Sequence, residues 1–240
     1  MAFARGAVCD GGMKGWFLFA PLLALGTPAI AAELADDFSG DLARWAVEQM
    51  PGGRVAIEDG RLAIEDAAGC TVWFREKLRA PVTIRYRARV SSRSRVSDLN
   101  CFWMARDPRN AEAPFAEANR RSGKFADYDS LATYYVGYGG NENKTTRFRR
   151  YDGKGARPLR PEHDLSAAKF LLEADRDYRI EIHVAADGTT RFVRDGETVF
   201  AYRDAAPLTE GWFAFRTVHS RIEIDDFEVS VPPAPASPRP

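Results

Sequence analysis

The sequence has very little of two residue types on which many catalytic and metal sites depend. It contains three cysteines and three histidines in 240 residues, and none of them has the spacing of a zinc site. A Gly-rich phosphate loop and a Gly-x-Ser-x-Gly elbow are also missing. These absences argue against phosphate-loop enzymes and serine hydrolases.

The sequence also lacks an excess of charge of either sign. It has 34 basic and 34 acidic residues, so its formal net charge is +0. A general nucleic-acid-binding protein would be basic overall, and we therefore expect no nucleic-acid partner. Lysine occurs at only six positions, so arginine supplies most of the positive charge.

Long apolar runs are missing except for one near the N terminus. Residues 16–25 are apolar, follow a lysine and precede small residues that fit a cleavage site near Ala31 or Ala32. This pattern predicts a secretory signal peptide over residues 13–32, because the run is too short for a transmembrane helix. We therefore expect a periplasmic or secreted protein without a membrane span.

The rest of the chain reads as one domain with a short tail. No linker interrupts residues 33–230, and residues 1–32 are interpreted as signal peptide or leader, with either Met1 or Met13 as the start. Residues 231–240 are proline-rich and are predicted to be disordered.

Two cysteines, Cys70 and Cys101, belong to the predicted mature domain. Export permits a disulfide between them. Each also lies in an apolar segment typical of a strand, where a buried free thiol is equally common. The sequence leaves both states open.

The pattern of alternation and turns predicts an all-β fold. Residues 82–90 alternate between apolar side chains and arginines, as a half-buried strand does. Asp-Gly pairs at Asp59, Asp187 and Asp195 separate apolar runs, which is a strong hairpin signal. About a dozen such strands and almost no helical periodicity indicate a β-sandwich or jelly roll.

One predicted hairpin combines the residue types that recognise charged ligands. Tyr134–Tyr138 and Thr145–Tyr151 are the strands, and Gly139–Asn143 forms the turn. Alternation places Arg147 and Arg149 on one face of the return strand. Aromatic rings stack on sugars, and arginine forks bind carboxylate, sulfate or phosphate.

Three further motifs resemble a known family. They are Asp36-Asp37-Phe38 with Trp45, Asp195-Gly196 with Gly211-Trp-Phe-Ala-Phe-Arg216, and Ile224-Asp225-Asp226-Phe227-Glu-Val229. Together they resemble secreted bacterial proteins of the concanavalin A-like lectin/glucanase jelly roll, a family of unknown function found with polysaccharide-degradation genes. The resemblance implies a single concanavalin A-like jelly-roll domain that binds a polysaccharide on its concave sheet face.

The first functional hypothesis is a polysaccharide lyase that acts on an acidic, uronate-containing glycan. β-Elimination needs a group that neutralises the uronate carboxylate, a base and an acid, and Arg, Asn, His and Tyr suit these tasks. The predicted catalytic residues are His163, His219, Tyr138 and Arg216. Asp164 follows His163 and could orient it. The predicted substrate-binding residues are Trp103, Asn100, Tyr135, Asn141, Asn143, Arg147 and Arg149.

Two alternatives remain open. Glu223 and Glu228 match the carboxylates of a retaining glycoside hydrolase if a bulge lies between them, although outward acids are also usual on an edge strand. The other alternative is a non-catalytic carbohydrate-binding module. We expect a monomer without a cofactor. Asp36-Asp37 or Asp225-Asp226 could bind calcium, but the simpler interpretation is that these acids are solvated.

Overall fold

The computed structural model of the chain describes residue 1 and residues 34–231. The predicted signal peptide and residues 232–240 of the predicted tail lie outside the described residues. Sixteen strands follow one another in this part of the chain: β1 (Leu34–Asp36), β2 (Trp45–Gln49), β3 (Arg54–Glu58), β4 (Arg61–Glu65), β5 (Cys70–Phe74), β6 (Leu78–Arg79), β7 (Val82–Val90), β8 (Asn100–Arg106), β9 (Ala132–Gly139), β10 (Thr145–Asp152), β11 (Asp164–Leu165), β12 (Tyr178–Val184), β13 (Thr189–Arg194), β14 (Glu197–Arg203), β15 (Glu210–Thr217) and β16 (Arg221–Ser230).

Helical structure in residues 34–231 is limited to single turns. One is α1 (Gly140–Asn143), and the others are short 3-10 turns at Glu117–Asn119, Phe125–Tyr128, Pro161–His163 and Ala168–Phe170. No helix in the described part of the chain combines the length and the apolar character needed to cross a membrane.

The strands form two antiparallel sheets that pack face to face. The first sheet has the order β14-β13-β12-β7-β16-β4-β3, with β1 paired to β16. The second has the order β11-β10-β9-β8-β15-β5-β2, with β6 paired to β15. The predicted all-β jelly-roll sandwich is therefore confirmed.

Strand alternation explains how the core between the sheets is filled. In β7 the side chains of Val82, Ile84 and Tyr86 are buried, whereas Arg85 and Arg87 point to the other face. The same alternation in the other strands brings aliphatic and aromatic side chains from both sheets into one continuous core. Their removal from water is the main force that holds the sheets together.

A second apolar cluster lies on the outer face of the second sheet. We call it the outer aromatic cluster; it includes Trp73, Phe102, Tyr128, Tyr135 and Trp212. Tyr128 comes from residues 107–131, which we call the covering segment. This segment shields the cluster from water, so this part of the outer face is buried rather than open.

The last strand lies inside a sheet. β16 is between β7 and β4 in the first sheet, so Glu223 and Glu228 are not the outward acids of an edge strand. A register shift between Asp225 and Glu228 confirms the expected bulge.

The two cysteines are buried free thiols. Cys70 pairs with Thr217 and Cys101 pairs with Phe215, on opposite sides of β15. Two strand spacings separate them by about 10 Å, which is beyond the reach of a disulfide. The alternative of a disulfide is therefore wrong for this fold.

Candidate functional site

The outer face of the second sheet also contains a cleft, lined in part by β9 and β10. Two adjoining depressions of about 240 and 330 Å³ share the lining residues Asp98, Phe125, Tyr135 and Asn141. We call the combined depression the outer cleft. The covering segment forms one wall, and the β9–β10 hairpin forms the other.

The covering segment is fixed to the sheet by a buried polar network. Glu48 accepts hydrogen bonds from Trp73 Nε1 at 2.8 Å, Tyr128 Oη at 2.9 Å and Arg121 Nε at 3.1 Å. Arg121 also pairs with Asp107 at 3.1 Å. Because all of these groups are buried and paired, the wall of the outer cleft is rigid.

Arg216 in β15 is the most unusual residue of the outer cleft. Its side chain is fully buried, and Nη1 donates to Thr71 Oγ1 at 2.8 Å and to the Gly123 carbonyl at 3.0 Å. The guanidinium lies 4.8 Å from the Phe125 ring and 4.9 Å from the Tyr128 ring. Nε and Nη2 have no hydrogen-bond partner among the described residues. The cleft therefore contains a buried cation without a carboxylate partner.

The approach of Gly123 to Arg216 depends on glycine. Gly123 has a φ of 95°, in the left-handed region, and a Cβ there would lie 2.6 Å from the Gly69 carbonyl oxygen. Only glycine accommodates both the dihedral angle and the contact. A residue with a side chain would push the Gly123 carbonyl away from the guanidinium.

Three other predicted residues lie beside Arg216. Asn100 is its cross-strand neighbour on β8, and its Oδ1 has no partner in residues 34–231. Tyr135 lines the same space, and burial raises the pKa of its hydroxyl well above the ordinary value. His219 is exposed at the end of β15 and completes this part of the lining.

The other end of the outer cleft contains three arginines. Arg147 binds Asp164 through two nitrogens, at 2.8 and 3.1 Å, and Arg157 binds Asp129 at 3.0 Å. Arg149 forms no ion pair within the described residues. Its burial and the neighbouring Arg147 and Arg157 charges lower its pKa. An anion bound here would relieve that repulsion.

The turn between β9 and β10 is strained and lies on the rim. Asn141, Glu142 and Asn143 all have positive φ, between 54 and 60°. The Asn143 amide holds this left-handed turn by bonding both the N–H and the carbonyl of Leu172, at 2.8 and 2.9 Å. Asn143 is therefore a support for the turn, while Asn141 lines the cleft.

Most of the predicted site residues come together in this cleft. The residues that line it are Asn100, Tyr135, Asn141, Arg147, Arg149, Arg216 and His219. Two others are corrections. Trp103 points into the core and donates to Thr190 Oγ1, and Tyr138 is buried against Tyr178 and accepts from Arg194. The side chains of both residues point towards the core between the sheets, whereas that of Tyr135 points to the outer face.

His163 also lies elsewhere. It packs edge-on against Phe148 at 4.9 Å between ring centroids and lines a separate cleft. Asp164 does not orient it, because that carboxylate binds Arg147. The predicted His163–Asp164 pair is therefore wrong.

Several lining residues were missed by the sequence reasoning. Phe125 and Arg157 come from irregular segments, and the Arg157 guanidinium lies 5.0 Å from the Phe125 ring. Arg95 and Asp98 form an ion pair at 3.0 Å on the rim. No local periodicity marks such residues, since loops place them through long-range contacts.

The geometry does not support the carboxylate pair of a glycoside hydrolase. Glu223 and Glu228 lie on the first sheet, opposite Arg89 and Arg85 in β7. Because of the bulge, their partners Arg89 and Arg85 are only four residues apart. This spacing still corresponds to about 13 Å along the strand, whereas the two carboxylates of a retaining enzyme lie about 5 Å apart. Arg89 and Arg221 also bind Glu223 at 2.7 and 2.9 Å.

The acidic pairs considered for calcium are bound to protein donors. Asp36 accepts from the Phe38 N–H and from Trp45 Nε1, and Arg87 binds both Asp225 and Asp226. No group of three metal-ligating side chains occurs in the part of the chain that the structure describes.

Solved structures with the same fold come from several contexts. A Bacillus subtilis protein of unknown function with a galectin-like fold has a TM-score of 0.64 and 19% identity, over 83% of this chain and 96% of that chain. The Bacillus subtilis carbohydrate-binding module CBM66 has a TM-score of 0.54 and 10% identity, over 78% and 95%. A prokaryotic β-1,3-1,4-glucanase (lichenase) from a mouse hindgut metagenome has a TM-score of 0.51 and 12% identity, over 83% and 98%.

The sequence comparisons complete these findings. A family model described as a domain of unknown function (DUF6250) matches residues 64–227. A search of curated proteins gave no match. At these identities the structural similarities establish the concanavalin A-like jelly-roll fold and nothing beyond it.

Proposed function

The chain belongs to DUF6250, a family of domains of unknown function, and from this premise we propose that it binds an acidic, uronate-containing glycan in the outer cleft. The single observation on which this proposal rests is Arg216, a fully buried guanidinium behind the cleft lining whose Nε and Nη2 have no hydrogen-bond partner among residues 34–231. A buried cation without a counter-charge is costly. A carboxylate bound in the adjoining cleft would offset that cost through its negative charge.

The charge of the cleft favours an anion along its whole length. Five arginines and two acidic residues line it, and two of the arginines, Arg149 and Arg216, have no carboxylate partner among residues 34–231. A planar guanidinium presents two parallel donors that match the two oxygens of a carboxylate. In a partly buried cleft this interaction is screened less than on an open surface.

The aromatic residues of the cleft provide a surface for a sugar ring. Phe125 lies between the guanidiniums of Arg157 and Arg216, 5.0 and 4.8 Å from its centroid. Tyr135 lies beside Gly137, which has no side chain to cover the floor. A ring with apolar and charged edges would find both kinds of partner here.

The fold gives further support at the level of analogy. Two structurally similar proteins are described as a carbohydrate-binding module and a glucanase. Proteins with this fold can therefore engage glycans. Fold similarity alone does not define a substrate, so the acidic specificity is argued from the arginines of this chain.

Lyase cleavage is the proposed activity at this site. Arg216 and Asn100 would neutralise the uronate carboxylate, and His219 would take the C5 proton. The electron pair released would form the C4–C5 double bond as the C4–O bond breaks, and Tyr135 would donate its proton to the leaving oxygen. Burial raises the pKa of Tyr135, so its hydroxyl is protonated near neutral pH and cannot serve as the base.

A non-catalytic binding module is the alternative. It would use the same arginines and aromatic rings without turnover. The observation that favours it is the burial of Tyr135, whose exposed fraction is 7%, because the proposed acid then has little surface with which to reach a leaving oxygen. A binding module is expected to retain intact glycan, while a lyase would release unsaturated fragments.

The experiment is a digest of pectic, alginate, ulvan-type, glucuronan and neutral β-glucan substrates. Ultraviolet absorbance reports unsaturated ends, and a reducing-sugar assay runs in parallel. For a lyase, both signals rise on a uronate polymer, and His219→Ala and Tyr135→Phe abolish them while binding persists. Reducing ends without absorbance would indicate hydrolysis instead. Binding to a uronate polymer without either signal would support the non-catalytic binding module. No binding to any acidic polymer would refute the proposal.

We also propose that the domain acts outside the cytoplasm. The proposal rests on the predicted signal peptide over residues 13–32 and on a domain that spans residues 33–230. N-terminal sequencing of the exported protein should begin near Ala32. A chain that keeps residues 13–31 after export would refute the predicted cleavage.

A further inference from the structure

A second cleft lies at the side of the sandwich, and we call it the side cleft. It has a volume of about 280 Å³, and its lining includes Phe148, Arg150, His163 and Tyr202. Phe148 and Arg150 alternate in β10 with Arg147 and Arg149 of the outer cleft. The two clefts therefore lie on opposite faces of one strand and are independent of each other.

His163 provides unused hydrogen-bonding groups in this cleft. Its exposed fraction is only 7%, and it packs edge-on against Phe148, Phe200 and Tyr202, at 4.9, 5.9 and 5.9 Å between centroids. No described residue forms a hydrogen bond with its imidazole. Burial lowers its pKa, so the ring is neutral near neutral pH and has one donor and one acceptor nitrogen. Its nitrogens reach the surface of the cleft, where a ligand can bond to them.

The charged residues of the side cleft cancel one another. Asp204 accepts from Arg150 Nε at 3.0 Å, Tyr134 Oη at 2.8 Å and the Ala206 N–H at 2.9 Å. Arg150 also donates to the Ala206 carbonyl at 3.1 Å. This network is rigid, and it leaves no net charge between Asp204 and Arg150.

The other two charged residues of the lining, Asp152 and Arg160, do not pair with each other. Asp152 accepts from the N–H groups of Lys154 and Ala156 at 2.7 and 3.0 Å, and the Arg160 guanidinium lies 4.9 Å from the Tyr202 ring. The lining thus has two arginines and two aspartates. Neither an anionic nor a cationic ligand would find an excess of opposite charge.

From these features we infer that the side cleft is a second glycan site, which takes an uncharged monosaccharide unit. Sugar hydroxyls both donate and accept, as does the neutral His163 imidazole. Aromatic rings in the wall suit the apolar edge of a sugar. The volume is near the lower end of the range for small-ligand sites, which suits one ring. The protein would then hold an acidic unit in one cleft and a neutral unit in the other.

The test uses the three histidines as separate reporters. Imidazole NMR signals of His163, His183 and His219 are followed while methyl glycosides of glucose, galactose, mannose, xylose and N-acetylglucosamine are added one at a time, with glucuronate as the charged comparison. We expect at least one neutral glycoside to shift the His163 signals and leave those of His183 unchanged. No response of His163 to any neutral glycoside, or a response to glucuronate alone, would overturn the inference.

A variant pair separates binding from folding. His163→Phe keeps an aromatic ring among the other rings but removes both nitrogens, and should weaken neutral-sugar binding about tenfold or more. Its affinity for an acidic glycan should not change, since the outer cleft lies on the other face of β10. Arg216→Met should show the reverse pattern. If His163→Phe is folded and binds neutral sugars as the wild type does, the inference is wrong. Failure of the acidic-glycan proposal alone would leave the His163 result intact.

Discussion

Replacing Arg216 by methionine should lower affinity for an acidic glycan while it leaves the fold nearly as stable. Methionine fills a similar volume and keeps contact with the Phe125 and Tyr128 rings. The change removes the hydrogen bonds to Thr71 and Gly123, each worth about 1.5–3 kcal/mol for a charged donor. It also removes the desolvation cost of a buried ion, which is several kcal/mol. These contributions oppose each other, and we expect a net change within about 2 kcal/mol.

The effect on binding should be much larger than the effect on stability. Truncation of one partner in a buried charge pair costs about 2–5 kcal/mol, which corresponds to about 30-fold or more in affinity. Isothermal titration with an acidic oligosaccharide measures this loss, and urea denaturation measures the free energy of unfolding. Calorimetry at two salt concentrations adds a check, because the wild-type affinity should fall as salt screens the arginines.

Arg121 provides the matched control. It is also a buried arginine that lies over aromatic rings, 5.2 Å from Trp73 and 5.6 Å from Tyr128, but it is paired with Glu48 and Asp107. Arg121→Met leaves buried carboxylates without this partner, and should destabilise the fold by about 3–5 kcal/mol. Affinity of the folded fraction should not change. If Arg216→Met destabilised the protein more than Arg121→Met and bound the glycan normally, Arg216 would be a structural residue.

Other parts of the structure make further predictions. Burial alone would raise the pKa of Glu223, but hydrogen bonds from Arg89 and Arg221 outweigh it and hold the pKa below its ordinary value. Glu223→Gln should therefore lower the free energy of unfolding by about 3 kcal/mol near neutral pH. In urea denaturation, the difference between variant and wild type should shrink as the pH falls through the pKa of Glu223 in the folded state. A difference that does not change with pH would refute the ion-pair role. Burial raises the pKa of the Cys101 thiol to about 12 and raises that of Cys70 further. A thiol reagent should therefore label neither cysteine in the native domain and both in denaturant. Rapid labelling of the native domain would contradict the structure. Asn141→Gly should stabilise the turn by about 1 kcal/mol, because glycine adopts a positive φ without strain. The same change should weaken glycan binding. Equal affinity of variant and wild type in calorimetry would show that the Asn141 amide does not contact the ligand.

Alternation in the sequence was sufficient to predict the β9–β10 hairpin and the face of its arginines. Arg147 and Arg149 share one face, and Phe148 lies on the other, because successive side chains in a strand point in opposite directions. The same rule distinguishes Tyr135 from Tyr138, yet the residue types alone suggested both for the site. Phase relative to the core decides which aromatic residue faces the outer cleft, and this requires knowledge of which face of the sheet packs on the core.

Long-range features were not accessible from local patterns. The interior position of β16 depends on the order of strands in the sheet, which the sequence does not specify. The unpaired state of Arg216 depends on the covering segment, which brings Gly123 and Phe125 to it from about 90 residues away. Asp164 does not bind His163, because its carboxylate pairs with Arg147 on the neighbouring strand. The sequence does not show this long-range pairing.

The central claim is that the outer cleft recognises the carboxylate of an acidic glycan. The most direct test compares binding of one uronate oligosaccharide with binding of the same oligosaccharide after chemical reduction of its carboxyl groups. We predict that the acidic form binds, that reduction abolishes the interaction, and that Arg216→Met loses the same discrimination. Equal binding of the two forms, or tighter binding of the reduced one, would contradict the account.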